Sequence, residues 1–382
     1  MLTNPVLDEV GTYPITVLQE KARAMRAAGQ PLIDFSIGDP IEPTPEFIRR
    51  ALQRAVPEVS QYPTVSGLHE LRRAVAEYVR RRLGVAVDPE TQVLPTSGSK
   101  EAIFSTPLAF VEAGAGQAVI WPSPGYPVYQ RGARFAGAEP MAVPLEGDFV
   151  LRPEQVPDAA WRRARLVWAN YPHNPTGAVA GRHRLAALLE RCQEHGALLL
   201  SDECYLDLYE AQPPPSALQE AGSELEGLLV YLSLSKRSGM TGYRSGAIIG
   251  EAAALAALKS LRSSVGVGSP EFIQAAAIAA WSDDAHVMER RSAFSAKRAV
   301  LRKAFESLGY RVVASEAGIY LWVEVGDDAA VAERLLQEGV VVSPGRVFGP
   351  GGEGFLRLAL VPNVEACEAA VEVLQGCLAT GS

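Results

Sequence analysis

The chain has 382 residues, 48% hydrophobic and 21% charged, with a formal net charge of −8. That length exceeds one small core and predicts two domains, or a large one with a smaller companion. The acidic balance, without a basic tail, argues against nucleic acid or an anionic membrane as the main partner. The four cysteines, Cys192, Cys204, Cys367 and Cys377, show no CxxC spacing, and the five histidines make no paired-ligand pattern. Neither a metal site nor a disulfide framework is expected, and the thiols read as free in a reducing cytoplasm. No basic region followed by an apolar stretch opens the chain, so no signal peptide is expected, and no apolar run approaches the ~20 residues of a membrane helix.

Residues 1–45 lack any strand–helix rhythm and are expected to pack with a smaller domain. From 46 to 281 short apolar runs alternate with helical patterns. Gln117–Trp121, Arg165–Ala169, Ala197–Ser201, Leu228–Leu232 and Ala247–Ile249 read as buried strands, with amphipathic helices at 99–113 and 181–195. Such alternation predicts an α/β domain with a mostly parallel sheet covered by helices on both faces. In that architecture a ligand sits at the carboxyl ends of the strands. From 282 to 382 the pattern changes to a long helix over Ser282–Leu308, alternating strands at Gly318–Glu324 and Phe355–Leu360, and a terminal helix over 364–378. This predicts a smaller α+β domain. The run Gln212–Ser216 reads as a surface turn.

Polar residues that close apolar runs are the candidates for chemistry. Lys236 lies just past the strand at 228–232, where poor solvation disfavours its ammonium and exposes a free amine, as a Schiff-base lysine requires. Ser233, Ser235 and Arg244 nearby are anion donors. Gly98, Ser99 and Lys100 open the helix at 99, and free amides at a helix start favour anions. Asn174 lies in the turn Asn170–Gly177 and offers a side-chain amide. Asp202 closes the strand at 197–201, and a carboxylate there must be paired or hydrogen-bonded. Arg357 projects from the face opposite Leu356, Leu358 and Leu360, and its fork suits a bidentate carboxylate contact. Taken singly, each also fits a surface charge, a turn or a helix cap.

Taken as a set and in this order, these patches resemble the class I and II aminotransferases, pyridoxal-phosphate enzymes of fold type I. The resemblance runs from about Ile33 to the C-terminus. It implies a mixed, mostly parallel sheet covered by helices, and a small domain built from both terminal segments. It implies pyridoxal 5'-phosphate held on Lys236, which then serves as proton shuttle. Asp202 would keep the pyridine nitrogen protonated, and Tyr205 and Asn174 would bond the ring oxygen. Tyr126 would stack on the ring. Gly98, Ser99, Lys100, Ser233, Ser235 and Arg244 would surround the phosphate. Arg357, Asn174 and the backbone of Gly38 would hold the substrate carboxylate. Tyr62 matches a tyrosine that reaches the phosphate from a neighbouring subunit, which implies a homodimer with shared active sites. The implied substrates are an amino acid and a 2-oxo acid, 2-oxoglutarate among them, exchanged in ping-pong half-reactions.

Asp202–Leu206, Leu234–Ser238, Glu316–Trp322 and Phe348–Gly352 are most similar to the succinyldiaminopimelate aminotransferases of lysine and cell-wall synthesis. Methionine, aromatic, kynurenine or alanine donors remain open, as do C–S lyase and decarboxylase chemistry on the same scaffold. Dicarboxylate specialists of the family carry an arginine where Ser263–Pro270 has none, which disfavours an aspartate enzyme of that type. A transcription regulator of this fold needs a DNA-binding domain, for which there is no room before Ile33.

Overall fold

The computed structural model describes residues 2–13 and 16–378. Strand β1 (Ile33–Asp34) is followed by β2 (Val93–Thr96), β3 (Ala118–Ser123), β4 (Glu139–Pro144), β5 (Ala164–Asn170), β6 (Leu198–Asp202), β7 (Leu228–Ser233) and β8 (Gly246–Gly250). Strands β2 to β8 form one seven-stranded sheet in the order β2-β8-β7-β6-β5-β3-β4. All neighbours pair in parallel except β8, which runs against both β2 and β7.

Alternation along each strand feeds two cores. Val230 and Leu232, with Val167, Ala169, Leu199 and Ile249, pack on one face. Leu229 and Tyr231, with Leu166, Trp168, Leu200 and Ile248, pack on the other. A strand buried on both faces reads as a continuous apolar run, and that is why these segments are recognisable in the sequence.

The C-terminal part builds a second sheet from β9 (Arg311–Val313), β10 (Tyr320–Glu324), β12 (Ser343–Pro344) and β13 (Phe355–Ala359), in the order β12-β13-β10-β9. The short β11 (Val340–Val341) pairs instead with β1, in parallel. Leu356, Leu358 and Leu360 join Leu301, Phe305, Leu335 and Leu374 in a separate core. The helix expected over Ser282–Leu308 spans Ala285–Ser307, and the terminal helix spans Val364–Leu378.

The N-terminal segment divides. Phe35 lies in the second core, whereas helix Pro5–Val10 rests on helix Val128–Phe135 of the large sheet's layer. Arg131 fixes it there by donating to the carbonyls of Val10 (2.8 Å) and Gly11 (2.6 Å). The turn at 212–216 is not all surface: Pro214 is buried, and its carbonyl accepts from Arg82. Among the described residues the four cysteines are unpaired, and no helix is long and apolar enough to cross a membrane.

Candidate active site

Because β2, β3, β5, β6 and β7 run in parallel, their carboxyl ends open on one edge of the sheet, where loops can converge on a ligand. A cavity of about 330 Å³ lies there, lined by Gly38, Ser99, Lys100, Tyr126, Asn174, Asp202, Tyr205, Ser233, Ser235, Lys236, Arg244 and Arg357. Of the residues singled out in the sequence, Gly98 adjoins this wall and only Tyr62 lies away from it. Tyr62 is fully exposed on the single chain.

Lys236 sits on the helical turn Leu234–Arg237 that directly follows β7. The Ser233 side chain caps that turn by accepting from the Ser235 amide (3.1 Å). Its other end is anchored by Arg237, which donates to Asp207 (2.7 Å) and the Ala280 carbonyl (2.7 Å) and lies over the rings of Tyr78 and Trp281. Asp207 also takes Arg82 (3.0 Å) and the Tyr78 hydroxyl (2.9 Å), so this buried charge is fully partnered. Removing one member of such a pair costs about 3–5 kcal/mol. The turn is therefore rigid, and it aims the lysine into the cavity, where Nζ donates to the Gly38 carbonyl. Burial lowers the Lys236 pKa to about 8, with Asp39 pulling it up and Arg244 and Arg357 pulling it down.

Asp202 ends β6 and is 4% exposed. The Tyr129 hydroxyl donates to Oδ2 (2.7 Å) and the Cys204 amide to Oδ1 (3.3 Å). Burial pushes this carboxyl up, and those two donors pull against it. No described cation pairs with it, so a positive group entering the cavity would find a desolvated counter-ion waiting.

The opposite requirement is met at the rim. Gly98, at φ +78°, approaches Arg244 so closely that a Cβ there would lie 2.3 Å from its guanidinium. Only glycine accommodates both that backbone and that contact. Arg244, the Ser99 and Ser233 hydroxyls and the start of helix Ser99–Phe110 thus form a cradle suited to a phosphate. Lys100 points elsewhere: its ammonium lies 4.7 Å from the Tyr13 ring, and burial, then Arg244 and Arg131, lowers its pKa.

Arg357 lies on β13 between β12 and β10, opposite Ser343 and Trp322. One guanidinium nitrogen donates to Asn174 Oδ1 (3.1 Å) and another to the Ser36 carbonyl (2.5 Å). The Tyr320 and Phe348 rings hold it at 4.5 and 4.4 Å. The fork is fixed in orientation and faces the cavity.

Sequence reasoning missed Tyr129, Tyr320, Cys204, Tyr13 and Gln19. Tyr129 follows Tyr126 at helical i, i+3 spacing, a signal sufficient to place it behind the ring site. Tyr320 shares the alternation of β10 with Trp322; it pairs with Ala359, and its ring reaches the Arg357 guanidinium diagonally. Cys204 stands between two singled-out residues. Tyr13 and Gln19 reach the cavity from the N-terminal segment and carry no local signal.

A half-buried amine, a buried carboxylate with no described cation beside it and a cationic cradle around one cavity suit a phosphorylated pyridine aldehyde. The family described as "Aminotransferase class I and II" matches residues 30–374. The chain belongs to that family and is a pyridoxal-phosphate-dependent aminotransferase, acting on an amino acid and a 2-oxo acid. It is 37% identical to an LL-diaminopimelate aminotransferase of Trichormus variabilis over 97% of each chain. It is also 37% identical to the 4-dedimethylamino-4-oxo-anhydrotetracycline transaminase OxyQ of Streptomyces rimosus, over 95% of this chain and 98% of that one. The solved structure of a probable N-succinyldiaminopimelate aminotransferase from Thermus thermophilus superposes with a TM-score of 0.89, at 29% identity, over 96% of this chain and all of that one.

Proposed function

We propose that this aminotransferase takes its amino group from a diaminopimelate-type donor, LL-diaminopimelate or its N-succinyl derivative, and passes it to 2-oxoglutarate. The observation that carries the catalytic reading is the pair of half-buried Lys236 and buried Asp202, neither with an oppositely charged hydrogen-bonding partner among the described residues, facing one cavity with Arg244 and Arg357. When bound, pyridoxal phosphate supplies an aldehyde that condenses with amines and a ring that accepts the electron pair of the substrate α-carbon.

The chain's own residues do the rest. Lys236 Nζ would hold the cofactor through its amine and would move the substrate α-proton. Asp202 holds a proton at the ring nitrogen. Tyr205 and Asn174 would bond the ring oxygen, and Tyr126 would cover the ring. Gly98, Ser99, Ser233, Ser235 and Arg244 hold the phosphate. Arg357 orients the α-carboxylate, with Asn174 and Gly38 beside it.

Support for the donor is of two kinds. Several full-length relatives are LL-diaminopimelate aminotransferases, and a long donor carries a second carboxylate. Ser263–Pro270 offers no arginine for that group and does not line the cavity. Lys100 remains: it lines the cavity and has no hydrogen-bonding acceptor among the described residues, so a distal anion is its natural partner. This moves Lys100 from the phosphate to the substrate. Screening LL-diaminopimelate, N-succinyl-LL-diaminopimelate, aspartate, methionine, kynurenine and alanine against 2-oxoglutarate tests the assignment. A preference for either diaminopimelate is expected. Turnover confined to the other donors, or to none, refutes it.

Arg357→Lys is expected to raise KM for both the amino acid and the 2-oxo acid by roughly 10- to 100-fold, since one charged hydrogen bond of the fork is lost. Cofactor absorbance should stay unchanged. A rise confined to one substrate would remove Arg357 from the shared α-carboxylate.

We further propose a homodimer in which Tyr62 reaches the partner's phosphate. Tyr62 is fully exposed, and Val56, Val59 and Val265 are more than half exposed, an expensive arrangement for a monomer. Mixing inactive Lys236→Ala subunits with Tyr62→Phe subunits should give heterodimers with one intact site. Activity above the sum of the two parents is the expected result, and a fully active monomer would overturn the proposal.

A further inference from the structure

Tyr320 has no role in the site as assigned so far, yet it touches three of its parts. Its hydroxyl lies 2.8 Å from that of Tyr205, its ring lies 4.5 Å from the Arg357 guanidinium, and it lines the cavity. Both phenols are buried, Tyr320 at 3% exposure and Tyr205 at 8%. The rings meet edge to face, with centroids 5.5 Å apart. Tyr320 stands on β10 of the small sheet, and Tyr205 follows β6 of the large one, so this hydrogen bond joins the two sheets beside the cavity.

Which phenol donates follows from charge. A cation above a phenol ring stabilises its phenolate and makes its proton the better one to give. Arg357 lies over Tyr320, whereas no described cation lies over Tyr205. Burial raises both pKa values. At Tyr320 the Arg357 charge works against that rise; at Tyr205 the proximity of Tyr320 adds to it. Tyr320 is therefore the donor, and Tyr205 accepts on its lone pair. A phenol has a single proton, so Tyr205 keeps its own for another acceptor. Linked hydrogen bonds polarise one another, and a Tyr205 that accepts from Tyr320 donates more strongly in turn.

The Tyr320 hydroxyl has little freedom to turn away. A Cβ at position 38 would lie 2.5 Å from its oxygen, so the bare backbone of Gly38 closes over it. A tyrosine kept only for packing would not need its oxygen walled in against a second phenol.

We propose that Tyr320 is a positioning residue for the reaction: it donates to Tyr205 and so strengthens the hydrogen bond that Tyr205 makes to the cofactor's ring oxygen. This rests on the reading that Lys236 carries the cofactor and Tyr205 bonds the ring oxygen. The consequence is electrostatic. A stronger donor at the ring oxygen favours its anionic form, and the lysine–cofactor linkage then sheds its proton at lower pH. Because Arg357 sets the acidity of Tyr320, the residue also ties the substrate clamp to the cofactor's protonation.

The test is a spectrophotometric pH titration of the holoenzyme without substrate, which reads the linkage and not turnover. Tyr320→Phe should move the midpoint up by ~0.5–1 pH unit, the scale of one ordinary hydrogen bond. Tyr205→Phe should move it at least as far. The double variant should go no further than Tyr205→Phe alone, because Tyr320 acts through Tyr205. Replacing Tyr320 with 3-fluorotyrosine, which keeps the ring and acidifies the hydroxyl, should move the midpoint down. A Tyr320→Phe enzyme that titrates as wild type, additive shifts in the double variant, or an unmoved midpoint with fluorotyrosine would each overturn the proposal. If Tyr205→Phe itself leaves the midpoint unchanged, the ring-oxygen reading fails, and this inference fails with it.

Discussion

Lys236→Ala is expected to lose transamination by at least ~10⁴-fold, the upper end of what a positioned acid–base group contributes. The loss has two sources in this reading: no amine remains to carry the cofactor, and no group remains to move the α-proton. The cradle around Arg244 and the Asp202 carboxylate are untouched, so the variant should still retain pyridoxal phosphate without a covalent link. Borohydride should fix the cofactor on Lys236 in the parent and on no residue in the variant, read by the mass of the modified peptide. The pH dependence has a definite sign. The neutral amine is the reactive form, and burial brings its pKa to about 8. At pH 7 roughly a tenth of it is neutral, against ~0.03% for a lysine at its ordinary value. Cofactor uptake by the cofactor-free protein should therefore accelerate as pH rises through about 8. Recovery of reduced cofactor on another lysine, or near-normal turnover by Lys236→Ala, would end the assignment.

Legibility in the sequence follows from how each residue reaches the cavity. Lys236, Asp202 and Asn174 close apolar runs, and parallel strands put the ends of such runs on one edge. Order along the chain then becomes proximity in space, which is why one lysine and one aspartate can be picked from a single sequence. Arg357 is recognisable for a related reason, since alternation sets it across the strand from three leucines. Arg237 is the contrary case. It follows Lys236 directly and looks like an ordinary surface charge, yet it is 3% exposed because Asp207, 30 residues earlier, comes to meet it. Nothing local announces that partner. Tyr13 and Gln19 are hidden more deeply: helix Pro5–Val10 turns to the large sheet, while helix Thr16–Ala27, which carries Gln19, packs Leu18, Ala22 and Met25 with Val341 of β11, some three hundred residues away. The direction of the Lys100 side chain is hidden for a different reason. Its backbone sits at the helix start as expected, but the direction of a long side chain is set by its surroundings, here the ring of Tyr13.

Asp202→Ala is expected to slow both half-reactions by at least ~10²-fold, the scale of removing one preorganised electrostatic partner. The factor should be similar for the amino-acid and the 2-oxo-acid directions, because both use the same ring as electron acceptor. Cofactor should also dissociate more readily, since its protonated ring nitrogen loses the counter-ion. Asp202→Asn separates charge from shape. Asparagine keeps the shape and can still accept from the Cys204 amide, which lies 3.3 Å from Asp202 Oδ1, while its NH2, in place of the oxygen 2.7 Å from the Tyr129 hydroxyl, can only donate to that hydroxyl. It cannot carry the negative charge. If charge is what matters, Asn should be nearly as poor as Ala. If Asp202 only braces the loop, Asn should be close to the parent. Tyr129→Phe provides the graded case: it removes one donor that favours the carboxylate and leaves the charge, so its effect should be a small fraction of the Asp202→Ala loss. Single-turnover measurements of each half-reaction, made at saturating cofactor, read the chemical step apart from retention. Unchanged rates in Asp202→Ala under those conditions would mean that the ring nitrogen finds its counter-ion elsewhere.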